Sequence, residues 1–260
     1  MNTKTVELQS HRFSLLSLAM VTAWMAFFTA SKSSATMIAD LATDYKPATS
    51  TGQSSDDVGI SGTVQGTWHY FQDPDLSTVN GNGGLLTWQS SPSYRGGSTY
   101  GYSGTIFDWG LMPVLANEQL FENAGQLPPA GSLMGHPGTW YLAVQYSPTA
   151  PIADLFIDYR FEKPNSYGTA TATIFKSDGT TESVLLPTTA FTGATILSGT
   201  LSNLGTLSTS QSIWMFIGDG GDWAGDQSFL KLSISDVPEP SSAILVLIGL
   251  LACQLARVRR

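Results

Sequence analysis

At 139–147 and again at 153–163 the chain alternates with a period of two, and these stretches limit the folds open to it more than any other. In TWYLAVQYS, Trp140, Leu142, Val144 and Tyr146 share one face while Tyr141, Ala143 and Gln145 share the other. In ADLFIDYRFEK, Leu155, Ile157, Tyr159 and Phe161 alternate with Phe156, Asp158, Arg160 and Glu162. Successive side chains of a strand point to opposite faces, so one apolar and one mixed face mark half-buried antiparallel strands. Further strands are expected at 63–71, 85–89, 167–175, 181–186, 195–204 and 229–235, the last with Leu230, Leu232 and Ile234 on one face. SIWMFI at 212–217 reads as a short, central apolar strand. Lys176-Ser177-Asp178-Gly179 reads as a hairpin turn, because the Asp-Gly pair supplies the positive φ such turns need.

The remaining segments look irregular. The stretch 90–110 reads as a long loop. The stretch 111–138 reads as mostly irregular, with a helical turn near 117–124, since Pro128, Pro129 and Pro137 break anything longer. About eight strands, separated by turns and without a convincing helix, predict an all-β body: a two-sheet antiparallel β-sandwich of jelly-roll type. Composition agrees. Charged residues are 12% of the 260, with 26 Gly and 13 Pro, which suits a loop-rich β protein. Aromatic and aliphatic residues are too plentiful for disorder.

The two ends differ from the body. The first 35 residues read as a secretory signal that engages Sec-type export machinery: Lys4 and Arg12 precede an apolar region at 13–30, and Ser33-Ser34-Ala35 puts small residues at the −3 and −1 positions. Cleavage after Ala35 and cleavage after Ala39 both fit. At the other end, Pro238-Glu239-Pro240 precedes an apolar run at 243–256 and a basic finish of Arg257, Arg259 and Arg260. The 16 residues 241–256 make a helix of roughly 24 Å, short for a bilayer core of about 30 Å. The terminal arginines favour a cytoplasmic C-terminus, with the body outside.

This tail resembles the PEP-CTERM sorting signal of Gram-negative bacteria. The resemblance implies that a membrane exosortase reads Pro238, Glu239, Pro240 and the Arg257, Arg259, Arg260 cluster, and that the body is released to the cell surface or extracellular matrix. Gln254 departs from a purely apolar helix, near its basic end. A tail retained as a permanent anchor is the competing expectation. The boundaries that follow are a signal peptide at 1–35, a polar lead-in at 36–61, the β-sandwich at 62–236 and the sorting signal at 237–260, with its transmembrane helix at 243–256. The strand SIWMFIG, the Gly/Asp-rich loop after it and the alternating last strand also resemble bacterial jelly-roll domains found with such tails. Those domains are similar to galactose-binding-like and carbohydrate-binding modules.

Charge and cysteine content narrow the partners. Residues 36–236 carry 6 basic groups against 18 acidic ones, a net of −12, which argues against nucleic acid. The single cysteine, Cys253, lies in the tail, so the body has neither a disulfide framework nor a thiolate metal site.

Two groups of residues are candidates for binding. Trp88, Tyr94, Tyr100, Tyr102 and Trp109 crowd the 88–109 region with Arg95 and Asp108. Flat rings suit the C–H faces of pyranoses, and Arg95 or Asp108 can hydrogen-bond hydroxyls, so a polysaccharide is the expected ligand. The same rings would also serve to cover the open end of a sandwich. Asp219, Asp222 and Asp226 stand among glycines in GDGGDWAGD. A hard cation such as Ca²⁺ takes several oxygen ligands, though the spacing is not that of an EF-hand and a solvated turn accounts for the same residues.

Catalytic signals are missing. His69 and His136 lack the spacing of a metal pair. GYSG around Ser103 is not a nucleophile elbow, and GNGG at 81–84 is not a phosphate loop. Carboxylate pairs such as Asp73/Asp75 and Glu118/Glu122 arise by chance in any acidic chain, so no acid/base couple is assigned. The expected role is an exported, exosortase-processed protein with a non-catalytic structural or glycan-binding sandwich. A secreted polysaccharide-active enzyme is the alternative.

Overall fold

The two alternating stretches form consecutive strands, one in each of two antiparallel sheets. The structure, a computed structural model, describes residues 35–45, 66–77, 84–89, 101–103, 114–116, 128–164, 168–193, 195–221 and 227–236, with 87–89, 101–103 and 114–116 described by backbone alone. In chain order the strands are β1 (Thr36–Asp40), β2 (Gly66–Asp73), β3 (Gly84–Leu85), β4 (Thr87–Gln89), β5 (Gly101–Ser103), β6 (Val114–Ala116), β7 (Leu133–His136), β8 (Tyr141–Pro148), β9 (Leu155–Glu162), β10 (Thr169–Ser177), β11 (Glu182–Thr192), β12 (Ile196–Leu201), β13 (Ser212–Gly218) and β14 (Ser228–Asp236). One helical turn, α1 (Leu41–Asp44), follows β1.

The larger sheet runs β12-β9-β14-β7-β6-β5-β4, and the smaller runs β11-β10-β13-β8-β2-β3. One edge of β14 is shared. β7 pairs with Ser228–Leu230, while β1 pairs with the second half of β14, from Ser233 to Asp236. β1 therefore belongs to the sandwich, although it falls in the stretch read as a polar lead-in.

The core lies between the sheets and follows the predicted parity. Leu142, Val144 and Tyr146 of β8, Leu155, Ile157 and Phe161 of β9, and Leu230, Leu232 and Ile234 of β14 are all at most 2% exposed. β13 is interior to its sheet, between β10 and β8. The sheets approach closely at Gly135, where a Cβ would lie 2.5 Å from Leu230 Cδ1 and 2.6 Å from Leu142 Cδ2.

The start of the body is fastened to both sheets. Asp40 caps α1 by accepting the Thr43 N–H at 2.9 Å, and its other oxygen accepts the Ser233 hydroxyl at 2.7 Å on the larger sheet. Asp44 Oδ2 accepts the Asp40 N–H and the indole N–H of Trp68 on the smaller sheet, each at 3.0 Å. Burial raises the Tyr146 phenol above its usual value, and the Asp44 charge adds to this. Trp68 packs on Tyr146 with ring centroids 5.0 Å apart.

Three expectations need correction. The stretch 111–138, in which no strand was expected, holds β6 and β7, and the stretch read as a loop at 90–110 contains β5. These strands are three or four residues long, too short to show a period of two among glycines and prolines. The helical turn near 117–124 falls outside the described residues. The strand expected at 181–186 runs on to Thr192, through Pro187. That proline is tolerated because β11 is an edge strand with a bulge: Ala172 pairs with Thr189 and Ile174 with Leu186, so Pro187 and Thr188 together face Thr173.

Among the described residues no helix is long and apolar enough to cross a membrane. The signal peptide and the tail helix at 243–256 lie outside those residues.

Candidate functional site

The outward face of the smaller sheet is aromatic. Its strands place every second residue outward, and cross-strand register gathers these residues into rows. His69 lies opposite Gln145, Gln145 opposite Trp214, and Trp214 opposite Phe175. In the next row Phe71 lies opposite Ala143, Ala143 opposite Phe216, and Phe216 opposite Thr173. Trp214 stacks on Phe216 at 5.9 Å and lies 5.2 Å from Phe71. Phe216 meets Phe175 edge-on at 5.7 Å and Tyr141 at 6.2 Å. Tyr141 can lie down over β13 because Gly218 has no side chain; a Cβ there would be 2.5 Å from Tyr141 Cε1.

A short segment crosses this face. After β2, residues 74–77 run toward β11 on the far edge of the sheet, where the Ser77 hydroxyl donates to Glu182 Oε1 at 3.5 Å. Leu76 packs against the cluster on the way. Phe216 and Phe175 are buried, while His69, Phe71, Tyr141 and Trp214 stay partly exposed. Beside them sit hydrogen-bonding groups. Ser212 Oγ accepts from Trp214 Nε1 at 2.9 Å and from Gln145 Nε2 at 3.2 Å, which leaves its own proton to donate. The carbonyl oxygen of Gln145 has no bond among the described residues. The outward face of β9 and β12 contrasts with this, for it is polar: Arg160 pairs with Glu162 at 2.7 Å, and Thr200 donates to Asp158.

Three carboxyls border the aromatic face. Asp73 Oδ1 accepts the Asp75 N–H at 3.0 Å. Burial pushes the Asp73 carboxyl up to about 6, against that hydrogen bond, and the charges of Asp75 and Glu182 add to the rise. A second polar corner lies inside the larger sheet, where His136, Lys163, Gln227 and Ser228 are all buried. Burial first, and then the Lys163 charge, lower the His136 imidazole to about 4. His136 Nδ1 accepts the Gly138 N–H at 3.0 Å, so the ring is neutral near pH 7 and its proton sits on Nε2.

No family model and no curated protein matches the chain. Among solved structures the chain is similar to a mutant of a family 29 carbohydrate-binding module, at 11% identity and a TM-score of 0.29, over 65% of this chain and 91% of that one. It is similar to an arabinose-bound α-L-arabinofuranosidase at 18% identity and a TM-score of 0.29, over 47% of this chain. There it spans only 21% of the other chain. An infectious bursal disease virus structure overlaps at 14% identity and a TM-score of 0.22, over 67% of this chain and 53% of that one. Overlaps at this level carry no argument about ligand or activity.

The residues singled out in the sequence are placed as follows. Trp88 and Tyr102 are direct partners across the β4–β5 pair, so these two positions share a face. Tyr94, Arg95, Tyr100, Asp108 and Trp109 lie outside the described residues, as do Pro238, Glu239, Pro240, Arg257, Arg259 and Arg260. Of the acidic loop, Asp219 is described, and its Oδ1 accepts the Gly221 N–H at 3.0 Å. Asp222 and Asp226 lie outside. Among the described residues no group of three His, Cys, Asp or Glu could hold a metal ion. The aromatic face itself was not anticipated. Its signal was SIWMFI, which is apolar at both parities. A strand apolar on both sides has both sides covered or occupied.

Proposed function

We propose that this chain is an exported, non-catalytic β-sandwich protein that binds carbohydrate on the outward face of its smaller sheet. One observation carries the reading: Trp214 and Phe71 stand partly exposed and 5.2 Å apart beside Gln145 and Ser212. Rings offer C–H stacking surface, and the amide and hydroxyl offer directional bonds to sugar hydroxyls. A partly exposed aromatic patch on one face of a sandwich whose opposite outward face is polar at β9 and β12 marks an interaction surface. The strand order, with the chain passing repeatedly between sheets from β8 to β14, supports a jelly-roll topology. The test is a glycan array with the wild-type protein and Trp214→Ala. Binding that survives this substitution undiminished would sink the site.

The route belongs to the same proposal. The ordered Pro238-Glu239-Pro240, apolar run and arginine cluster support a Sec-exported precursor held in the inner membrane, processed by an exosortase and released to the surface or matrix. Epitope tags on both sides of Pro238 test it: a mature protein that keeps the C-terminal tag is anchored rather than released.

A second reading, a polysaccharide-active enzyme, has Asp73 on its side, a carboxyl raised to about 6 next to Asp75 and Glu182. Asp73 is only 3% exposed, however, and accepts the Asp75 N–H, so it is ill placed to meet a glycosidic oxygen. Turnover of any polysaccharide that stops with Asp73→Asn would favour the enzyme.

A further inference from the structure

Among the described residues, the aromatic face carries its Asp and Glu side chains at its border. Asp73 and Asp75 stand where the segment 74–77 leaves β2, and Glu182 stands where Ser77 meets β11. The nearest lysine in the sheet, Lys176 of β10, pairs with the core residue Ile213 rather than with an outward one. Its ammonium is directed at the carbonyls of Leu204 and Thr206, at 3.4 and 2.7 Å. Arg160 and Lys231 face each other on the larger sheet, and Arg160 is held by Glu162. Among the described residues, then, no lysine or arginine stands in the two aromatic rows of the outward face. A uronate or sulfate group arriving there would lose water, meet no lysine or arginine among the described residues and approach carboxylates.

We infer that this face selects neutral glycans, whose hydroxyls Gln145 and Ser212 can bond, and rejects uronic and sulfated chains through the carboxylates at its border. The inference rests on the glycan reading of the same face. Rejection is electrostatic, so it is strongest at low ionic strength and weakens once the Debye length falls below the distance from border to ligand. Recognition of the neutral chain comes from ring contact and short-range bonds, which salt leaves nearly unchanged.

The test is biolayer interferometry of the full-length protein in detergent on two sets of immobilised polysaccharides. The neutral set is β-glucan, xylan and galactomannan; the anionic set is alginate, polygalacturonate and chondroitin sulfate. The expected result is binding to at least one neutral chain about tenfold or more tighter than to any anionic one at low salt. High salt or Glu182→Gln should narrow the gap. Trp214→Ala should abolish neutral binding, and Gln145→Ala, which leaves every ring in place, should weaken it. Tighter binding to an anionic chain that is still lost with Trp214→Ala overturns the selectivity and leaves the glycan site standing. No binding to either set, or binding indifferent to both Trp214→Ala and Gln145→Ala, overturns the site and the selectivity together.

Discussion

Thr36 lies directly opposite Asp236 across the β1–β14 pair, so the first and last strand residues of the body sit side by side at one corner of the larger sheet. Asp236 also accepts the Asp154 N–H at 3.0 Å, which ties that corner to the chain leading into β9. The two stretches read as processing signals therefore leave the body from adjacent points, and β1 joins the sheet only if the residues after Ala35 remain.

A body starting at Thr36 should be more stable than one starting at Asp40, with both ending at Asp236. The shorter chain loses the β1 ladder, the 2%-exposed Ala39 and the half-buried Ile38. It also turns the Asp40 N–H, which bonds Asp44, into a charged terminus. A cost of about 2–3 kcal/mol is expected, read from urea midpoints. Superimposable melts would show that β1 is dispensable and that cleavage after Ala39 is tolerated.

Asp44→Ala should cost about 2–4 kcal/mol, because it leaves the Trp68 indole N–H buried without its acceptor. Trp68 is 1% exposed and Asp44 is that acceptor. Asp44→Asn keeps one oxygen and should cost less. Equilibrium unfolding followed by tryptophan emission orders the three proteins, and equal midpoints would mean that the bond contributes nothing.

Within the aromatic face, neighbouring rings should behave differently. Phe216 is 0% exposed, packed between Phe175 and Tyr141, so Phe216→Ala should cost about 3–5 kcal/mol. Trp214 is partly exposed, and its truncation should cost less than half of that while removing glycan binding. The pair of measurements, stability and binding, separates the ring that builds the face from the ring that meets the ligand. Equal stability losses would place Trp214 in the core.

The sequence made the long strands legible and left the aromatic face of the smaller sheet hidden, for physical reasons. β8, β9 and β14 each run through several alternations, so their buried sides were readable residue by residue. β4, β5, β6 and β7 are too short for a period and took their places from their neighbours. The fastening of α1 was invisible because its partners are remote: Ser233 lies 193 residues from Asp40. The platform expected at 88–109, where rings are dense along the chain, lies mostly outside the described residues. The face described here draws its rings one or two at a time from β2, β8, β10 and β13, and density along a sequence says nothing about register between strands. The carboxyl border is the same case. Asp73 and Asp75 were set aside as a chance pair, and Glu182, whose charge Asp73 feels, comes with β11, 105 residues beyond Ser77.

Two buried groups should tilt the pH dependence of stability in opposite directions. Asp73 is raised from 3.8 to about 6. Between those values the native protein holds a proton that the unfolded chain has released, so this group makes stability fall as pH rises toward 6. His136 is lowered from 6.5 to about 4. Between those values the unfolded chain takes up a proton that the native protein refuses, so this group makes stability fall as pH drops below 6.5. Each effect amounts to at most about 3 kcal/mol, and in the wild type the two largely cancel between pH 4 and 6. Asp73→Asn should therefore show stability rising with pH across this window, and His136→Gln should show it falling, whatever each substitution costs overall. Asp178, lowered mainly by the Thr180 hydroxyl, is common to all three proteins and drops out of the comparison. Denaturant midpoints measured at half-unit steps of pH give the slopes, and parallel curves for the two variants would refute both assignments.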